Sequence, residues 1–299
     1  MAVVDTEDGY NPAGGSQAKF FLSAFGDEIA EDFDTQLEIL EKENIHFVEL
    51  RGAWGKNVAN FDEADLARIE QALKSRGIKV SAIGSPVGKI KITGPFEPEL
   101  RRLERIIEIA RRLETPYIRM FSFFIPADEG EAAFARHRPE VIRRLKEFVK
   151  LAEKHDVILL HENEKEIYGD TAEHCLDILS SVNSPNFRMT FDPANFVQCN
   201  IQPFREAFPK LEQFITYIHI KDAFFKDGRV VVAGAGDGEV AALLQALSDK
   251  GYQGFVSLEP HLSASGTFSG FSGPELFHEA VTALNSILKK VNPEVINAF

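Results

Sequence analysis

The chain has 299 residues, 44% of them hydrophobic and 26% charged, with 21 glycines and 14 prolines. That composition supplies a sizeable core and excludes a chain that is disordered throughout. A formal charge of −13 opposes attraction to phosphate backbones, which depends on Lys and Arg displacing counterions, so a nucleic-acid partner is not expected.

Residues 1–17, MAVVDTEDGYNPAGGSQ, are acidic, Gly-rich and aperiodic, and read as a flexible leader without a secretion signal. From there short apolar runs of strand length alternate with amphipathic stretches of helical period. The strands read FFLSAF (20–25), HFVEL (46–50), KVSAIG (79–84), YIRMFS (117–122), VILLHE (157–162), FRMTFD (187–192), YIHIKD (217–222) and FVSLEP (255–260). Helical faces fall at Phe33 to Lys42, Glu63 to Arg76, Pro98 to Leu113 and Pro139 to His155. Eight βα units over residues 18–291 predict one (β/α)8 TIM barrel, a fold that occupies this length as a single catalytic domain, with 292–299 as a C-terminal tail. No run approaches the roughly 20 apolar residues that cross a bilayer, so no membrane association is expected. Cys175 and Cys199 are too few for a disulfide framework, which fits a cytoplasmic protein.

A barrel places its functional side chains at the C-terminal ends of the strands. There the chain carries Arg51 after strand two, Ser85 and Lys89 after strand three, Arg119 late in strand four, Glu162 and Asp192 ending strands five and six, His219 and Asp222 late in strand seven, and Glu259 ending strand eight. A single acid at a strand end is usually a helix cap, and Asp192 before Pro193 looks like a turn residue. Glu162, Asp192, His219 and Glu259, however, stand in phase on four successive strands, two residues beyond Leu160, Thr190, Tyr217 and Ser257, so that period-two alternation turns all four into the barrel mouth. Three carboxylates and an imidazole suit one hard to borderline divalent ion, Mn²⁺ first and Mg²⁺ or Co²⁺ next.

Around this cluster, Lys89 in the turn IGSPVGK (83–89), Arg51, Arg119 and Lys221 are expected to reach substrate oxygens, with Lys221 turned inward beside His219. Glu164, which is also expected to contact substrate, and Lys165 are placed to orient Glu162, and Asn195 to bond a hydroxyl. His161 is expected to face the helix layer. The segment GAGDG (234–238) resembles part of a phosphate loop but reads better as a turn in which Asp237 caps the next helix. The pieces FSFF (121–124) and HLSASGTFSGFSG (261–273) are candidates to wall or lid the pocket.

The motifs LLHENE (159–164), FDPANF (191–196), YIHIKD (217–222) and SLEPH (257–261) resemble the xylose isomerase-like barrel superfamily, in its sugar phosphate isomerase/epimerase branch. The resemblance implies a metal held by Glu162, Asp192, His219 and Glu259, with Glu162 and Glu259 as catalytic proton carriers, and a small carbohydrate substrate enolised beside its carbonyl. Isomerisation or epimerisation is the first expectation; elimination from a 3-keto sugar, keto-glycoside or inosose is the alternative, since it shares the first step. Ketose 3-epimerases of this branch carry Glu, His and Arg where this chain has Tyr168, Asn195 and Phe225, so the substrate is expected to differ from theirs. A repair nuclease of the same superfamily would need extra His ligands on strands two to four, where only His46 occurs. A non-catalytic binding module would follow if no metal bound. A homo-oligomer, most simply a dimer, is the ordinary assembly for such an enzyme.

Overall fold

The computed structural model describes residues 17–127, 130, 132–263 and 270–296. Most of the leader and the centre of the 261–273 segment therefore lie outside the described residues, as do the last three residues of the tail.

Eight parallel strands form the barrel: β1 Lys19–Phe25, β2 Phe47–Leu50, β3 Lys79–Ile83, β4 Tyr117–Met120, β5 Ile158–Glu162, β6 Phe187–Phe191, β7 Ile215–Ile220 and β8 Gln253–Leu258. Each pairs with its sequence neighbours, and β1 closes on β8 from Lys19↔Gln253 to Ala24↔Leu258. The predicted tail adds Glu294–Ile296 as a further strand, which pairs with Lys19–Phe21 of β1 below the point where β2 takes over at Ala24↔Val48.

The helices are α1 Phe33–Lys42, α2 Glu63–Arg76, α3 Glu97–Arg112, α4 Ala132–His155, α5 Ala172–Val182, α6 Pro193–Gln198, α7 Val240–Asp249 and α8 Gly273–Val291, with a single turn at Phe208–Leu211 between α6 and β7. Local chemistry sets several ends. Asp62 and Asp65 form a reciprocal capping box at α2, which Gly77 ends in the left-handed region at φ 65°. Thr171 caps α5 through His174 N–H. Pro139 lies inside α4 rather than opening it. Proline suits a first turn because it lacks an N–H, and a sequence reading therefore starts the helix there; the structure carries the helix through it.

The barrel interior is layered. Phe21, Phe47, Tyr117 and Phe255 meet edge-on or tilted at its lower end. Above them Ser81 Oγ lies 2.6 Å from Ser23 Oγ and 2.8 Å from the Tyr217 hydroxyl. Charged side chains fill the top, and apolar contacts below hold the strand ends that carry them.

Candidate functional site

Ligand atoms of Glu162, Asp192, His219 and Glu259 all lie within 4.8 Å of one another, and all four residues are buried. Asp192 divides its two oxygens. Oδ1 caps α6 by accepting Asn195 N–H at 2.9 Å, while Oδ2 lies 2.9 Å from Lys221 Nζ. The turn role and the cluster role thus belong to the same carboxylate. Asn163 fixes its backbone from both sides, donating to Asp192 O and accepting from Asp192 N at 2.9 Å each.

The two glutamates divide their oxygens as well. Glu162 Oε1 and Glu259 Oε2 each lie 3.4 Å from His219 Nδ1. Their other oxygens face Arg119, whose Nη1 lies 3.2 Å from Glu162 Oε2 and 3.5 Å from Glu259 Oε1. Arg119 and Arg51 both lie over the Phe25 ring, at 5.0 and 4.7 Å from its centroid, and the edge of that ring meets His219. Arg51 donates to Asp27 at 2.8 Å and to Glu259 Oε1 at 3.3 Å.

Charge crowding in a dry site shifts these groups in opposite directions. Burial, reinforced by Glu162 and Glu259 against the pull of Lys221, raises Asp192 to about 7. Burial also raises Glu28 to about 8, despite Arg51 nearby. For Glu162 burial and the Glu259 charge are outweighed by His219 and Arg119, which hold it at about 2. Glu259 is likewise held well below the usual range, burial being outweighed by Lys221, His261 and His219. For His219 burial is the largest single influence and lowers it, yet Glu49 and Glu162 together still raise it well above an ordinary imidazole.

The donor set fits a divalent cation. His219 Nδ1 is fully buried without a partner at hydrogen-bonding geometry among the described residues, and it faces Glu162, Glu259 and, at 3.9 Å, Asp192. Its other nitrogen, Nε2, lies 3.2 Å from Glu49 Oε2, so a cation that displaces the Nδ1 proton would find the lone pair on that nitrogen. Glu28, Glu259 and His261 form a second group with potential ligand atoms within 4.8 Å. There a cation is already built in, because Arg51 lies 3.6 Å from Glu28 Oε1 and 3.3 Å from Glu259 Oε1.

A cavity of about 320 Å³ opens above the cluster, lined by Arg51, Asn57, Pro86, Lys89, Arg119, Glu162, Glu164, Lys221, Glu259 and His261. Five of the six side chains read from the sequence as substrate contacts therefore border it. Lys89 reaches the rim because the preceding turn is tied to the segment after β4: Phe121 N–H donates to Val87 O at 2.8 Å, and Gly88, at φ 85°, lies so close that a Cβ would stand 1.9 Å from Phe121 O. The Lys89 ammonium lies 4.2 Å from the Phe121 ring centroid and 3.3 Å from Glu164 Oε2.

The sixth, Asn195, does not line the cavity. Its amide donates to Glu162 Oε1 at 3.1 Å and to Asn163 O at 2.9 Å, so it orients a cluster residue instead of meeting a substrate hydroxyl. That corrects the role given to Glu164 and Lys165, which pair with Lys89 and with Gln198 rather than with Glu162. Tyr168 is buried against Phe134 and His174 and donates to Asp177 at 2.8 Å, and Phe225 is exposed. His161 is buried with Nε2 2.9 Å from Ser122 Oγ, and burial lowers it to about 3.

Asp237 does not cap α7. The cap residue is Glu239 in left-handed backbone without a side-chain bond, and Asp237 accepts Phe225 N–H instead. The GAGDG segment is nonetheless an anion cradle. Its amides at Gly234, Gly236 and Gly238 donate to the Asp222 carboxylate at 2.8, 3.1 and 2.7 Å, with Ala223 N–H adding a fourth bond at 2.8 Å. A Cβ at Gly236 or Gly238 would stand 2.5 or 2.6 Å from Asp222 Oδ1. The phosphate-loop likeness thus reflects nested amides whose anion comes from this chain.

Sequence reasoning missed Glu49, Asp27, Glu28, Asn163 and His261. Glu49 carried a readable signal, a lone acid in the apolar run FVEL, but its partner lies 170 positions away.

A family description, xylose isomerase-like TIM barrel, matches residues 37–286. A 3-dehydroshikimate dehydratase of Bacillus anthracis is 23% identical over 176 residues, which cover 58% of this chain and 61% of that protein, less than two thirds of its length. Among solved structures, the probable 3-DHS dehydratase AsbF of Bacillus anthracis superposes with a TM-score of 0.70 at 17% identity, covering 90% of this chain and 98% of that one. D-psicose 3-epimerase with D-tagatose from Clostridium cellulolyticum H10 gives 0.72 at 16% identity, covering 91% and 99%. These structural likenesses are to the fold. Among the described residues no helix is long and apolar enough to cross a membrane.

Proposed function

The chain belongs to the xylose isomerase-like TIM barrel family, and we propose that it is a divalent-metal-dependent isomerase or epimerase acting on a sugar or keto-sugar through an enediolate. The observation that carries the reading is His219 Nδ1, buried, without a partner at hydrogen-bonding geometry among the described residues, and ringed by three carboxylate oxygens at 3.4, 3.4 and 3.9 Å. Glu162, Asp192, His219 and Glu259 would hold the cation, manganese by preference for their oxygen-rich set. When bound, such an ion polarises a carbonyl and stabilises the charge left by a departing α-proton.

The protein's own groups do the rest. Glu162 Oε2 and Glu259 Oε1 point away from the ligand cluster toward the cavity cations, which suits one to take a proton and the other to return it. Arg119 Nη1 lies between them and, with His219, favours the ionised form of Glu162 that takes a proton. Lys221 bridges Asp192 and Glu259 at 2.9 and 3.1 Å and presents a donor to a substrate oxygen. Lys89, Arg51 and Glu164 would bind the remainder of a small carbohydrate from the cavity wall.

A second reading, elimination of water or an alcohol from a cyclic keto compound, is favoured by the similarity to a 3-dehydroshikimate dehydratase. Metal-loaded protein incubated with candidate keto-sugars in deuterated water separates the two. Deuterium entering the carbon beside the carbonyl without an unsaturated product supports isomerisation or epimerisation, and a new conjugated-enone absorbance supports elimination. Absence of exchange at every carbon would sink both.

A further inference from the structure

Glu49 reaches the barrel axis from β2, across the barrel from the four strands that carry the cluster, and both of its oxygens lie within 3.3 Å of His219 Nε2. Neither side chain is exposed, at 1% and 0%. We propose that Glu49 is the positioning residue of this centre: it holds the His219 proton on Nε2 and fixes the ring so that the Nδ1 lone pair faces Glu162, Asp192 and Glu259. The inference rests on the metal-site reading above.

An imidazole that turns over exchange its two edges, and its apolar neighbours do not tell those edges apart. Phe25 and Tyr217 meet the His219 ring nearly at right angles, at 76° and 88°, and so set its plane. A polar group must choose which nitrogen looks at the cluster, and Glu49 is placed to do so. A carboxylate accepting from the far nitrogen of a ligand histidine also makes the ring a stronger donor.

The backbone is adapted to deliver this side chain. Val48 pairs with Val80 but Glu49 pairs with Ala82, so the register slips between them and Ser81 is left as the spare residue. Bulges of this kind recur beside functional sites, where they re-aim a strand end. Ser81 is itself used in the interior layer beneath, between Ser23 and Tyr217. Among the described residues those lining the cavity do not include Glu49, so its influence on a substrate must pass through His219.

The test is the affinity of the metal-free protein for Mn²⁺, by calorimetry or chelator competition at one pH, for the natural chain, Glu49→Gln and Glu49→Ala. Visible spectra of the Co²⁺-loaded forms and melting temperatures accompany it. Glu49→Ala should weaken Mn²⁺ binding by about 10- to 100-fold and shift the Co²⁺ bands. Glu49→Gln, which keeps an oxygen for the Nε2–H but loses the charge, should fall between. Affinities within twofold of the natural chain in both variants, with an unchanged Co²⁺ spectrum, overturn the proposal. Should Glu49→Ala fail to fold, the near-isosteric Glu49→Gln decides: weaker binding with shifted Co²⁺ bands supports the proposal, and an affinity within twofold with an unshifted spectrum overturns it. A natural chain that binds no divalent ion refutes the metal-site reading itself, a result distinct from one in which it binds and Glu49 is indifferent.

Discussion

Strands β5 to β8 supply Glu162, Asp192, His219 and Glu259 at or just beyond their ends, whereas the first half of the barrel sends Asp27, Glu28, Glu49, Arg51 and Arg119 inward to pair with those residues or with one another. The second half presents the cluster, and the first half, together with Lys221, Asn163 and Asn195, neutralises and orients it. A cluster of three buried carboxylates is costly by itself, and here Lys221, Arg51, Arg119 and His219 offset the repulsion. The division has a consequence for mutation. Changes in the second half should remove chemistry, and changes in the first should first remove stability or metal affinity.

The sharpest way to break the comparison is Glu259→Gln, which preserves shape while removing one proposed ligand charge and proton carrier. Turnover should fall by about 10²- to 10⁴-fold, and a loss under tenfold in a steady-state assay would mean that the second half does not own the chemistry. Next comes Arg51→Met in the first half. It strands Asp27, Glu28 and Glu259 together, and breaking a buried ion pair from one side costs about 3 kcal/mol. Denaturant unfolding of the metal-free protein should register that loss, and added metal should recover part of it.

A smaller effect tests whether the second half is purely chemical. Asp222→Asn leaves fewer acceptors for the four amides at Ala223, Gly234, Gly236 and Gly238, so unfolding should register a loss of about 1–3 kcal/mol. An unchanged midpoint would remove the anchoring role from the cradle.

The last expectation concerns pH, and its sign depends on the metal. In the metal-free protein Asp192 and Glu28 hold protons up to about 7 and about 8, far above their ordinary values. The folded state therefore binds more protons than the unfolded chain across that window, and its stability should fall as pH rises through it. Metal requires Asp192 as a carboxylate, so metal affinity should rise over the same range. Melting curves from about pH 5 to 8, with and without Mn²⁺, should diverge as pH increases. Parallel curves would detach these carboxyl groups from the metal site.

Much of the fold was legible because strand and helix period are local properties, and the eight predicted strands overlap the eight observed ones. The start of α4 was not, since Pro139 imitates a helix beginning and only packing carries the helix past it. The convergence of Glu162, Asp192, His219 and Glu259 was legible for the same local reason: each interrupts or ends an apolar strand in the same phase. Glu49 interrupts one too, but an acid without a visible partner has no distinctive role in a sequence. Asn195 shows the limit from the other side, where the residue type announced a hydrogen bond but not that Glu162 would receive it.

By itself, then, the sequence determined which strand each polar side chain ends and which face of the strand it takes, because alternation is fixed by bonds between adjacent residues. Only the closed barrel decided which oxygen of each carboxylate turns to His219 and which to Arg119 or Lys221. It also decided that Glu49 stands behind the imidazole and that Asp222 fills the glycine cradle. Those choices depend on distances between residues up to 170 positions apart, and electrostatic pairing acts through space only after chain closure has set those distances.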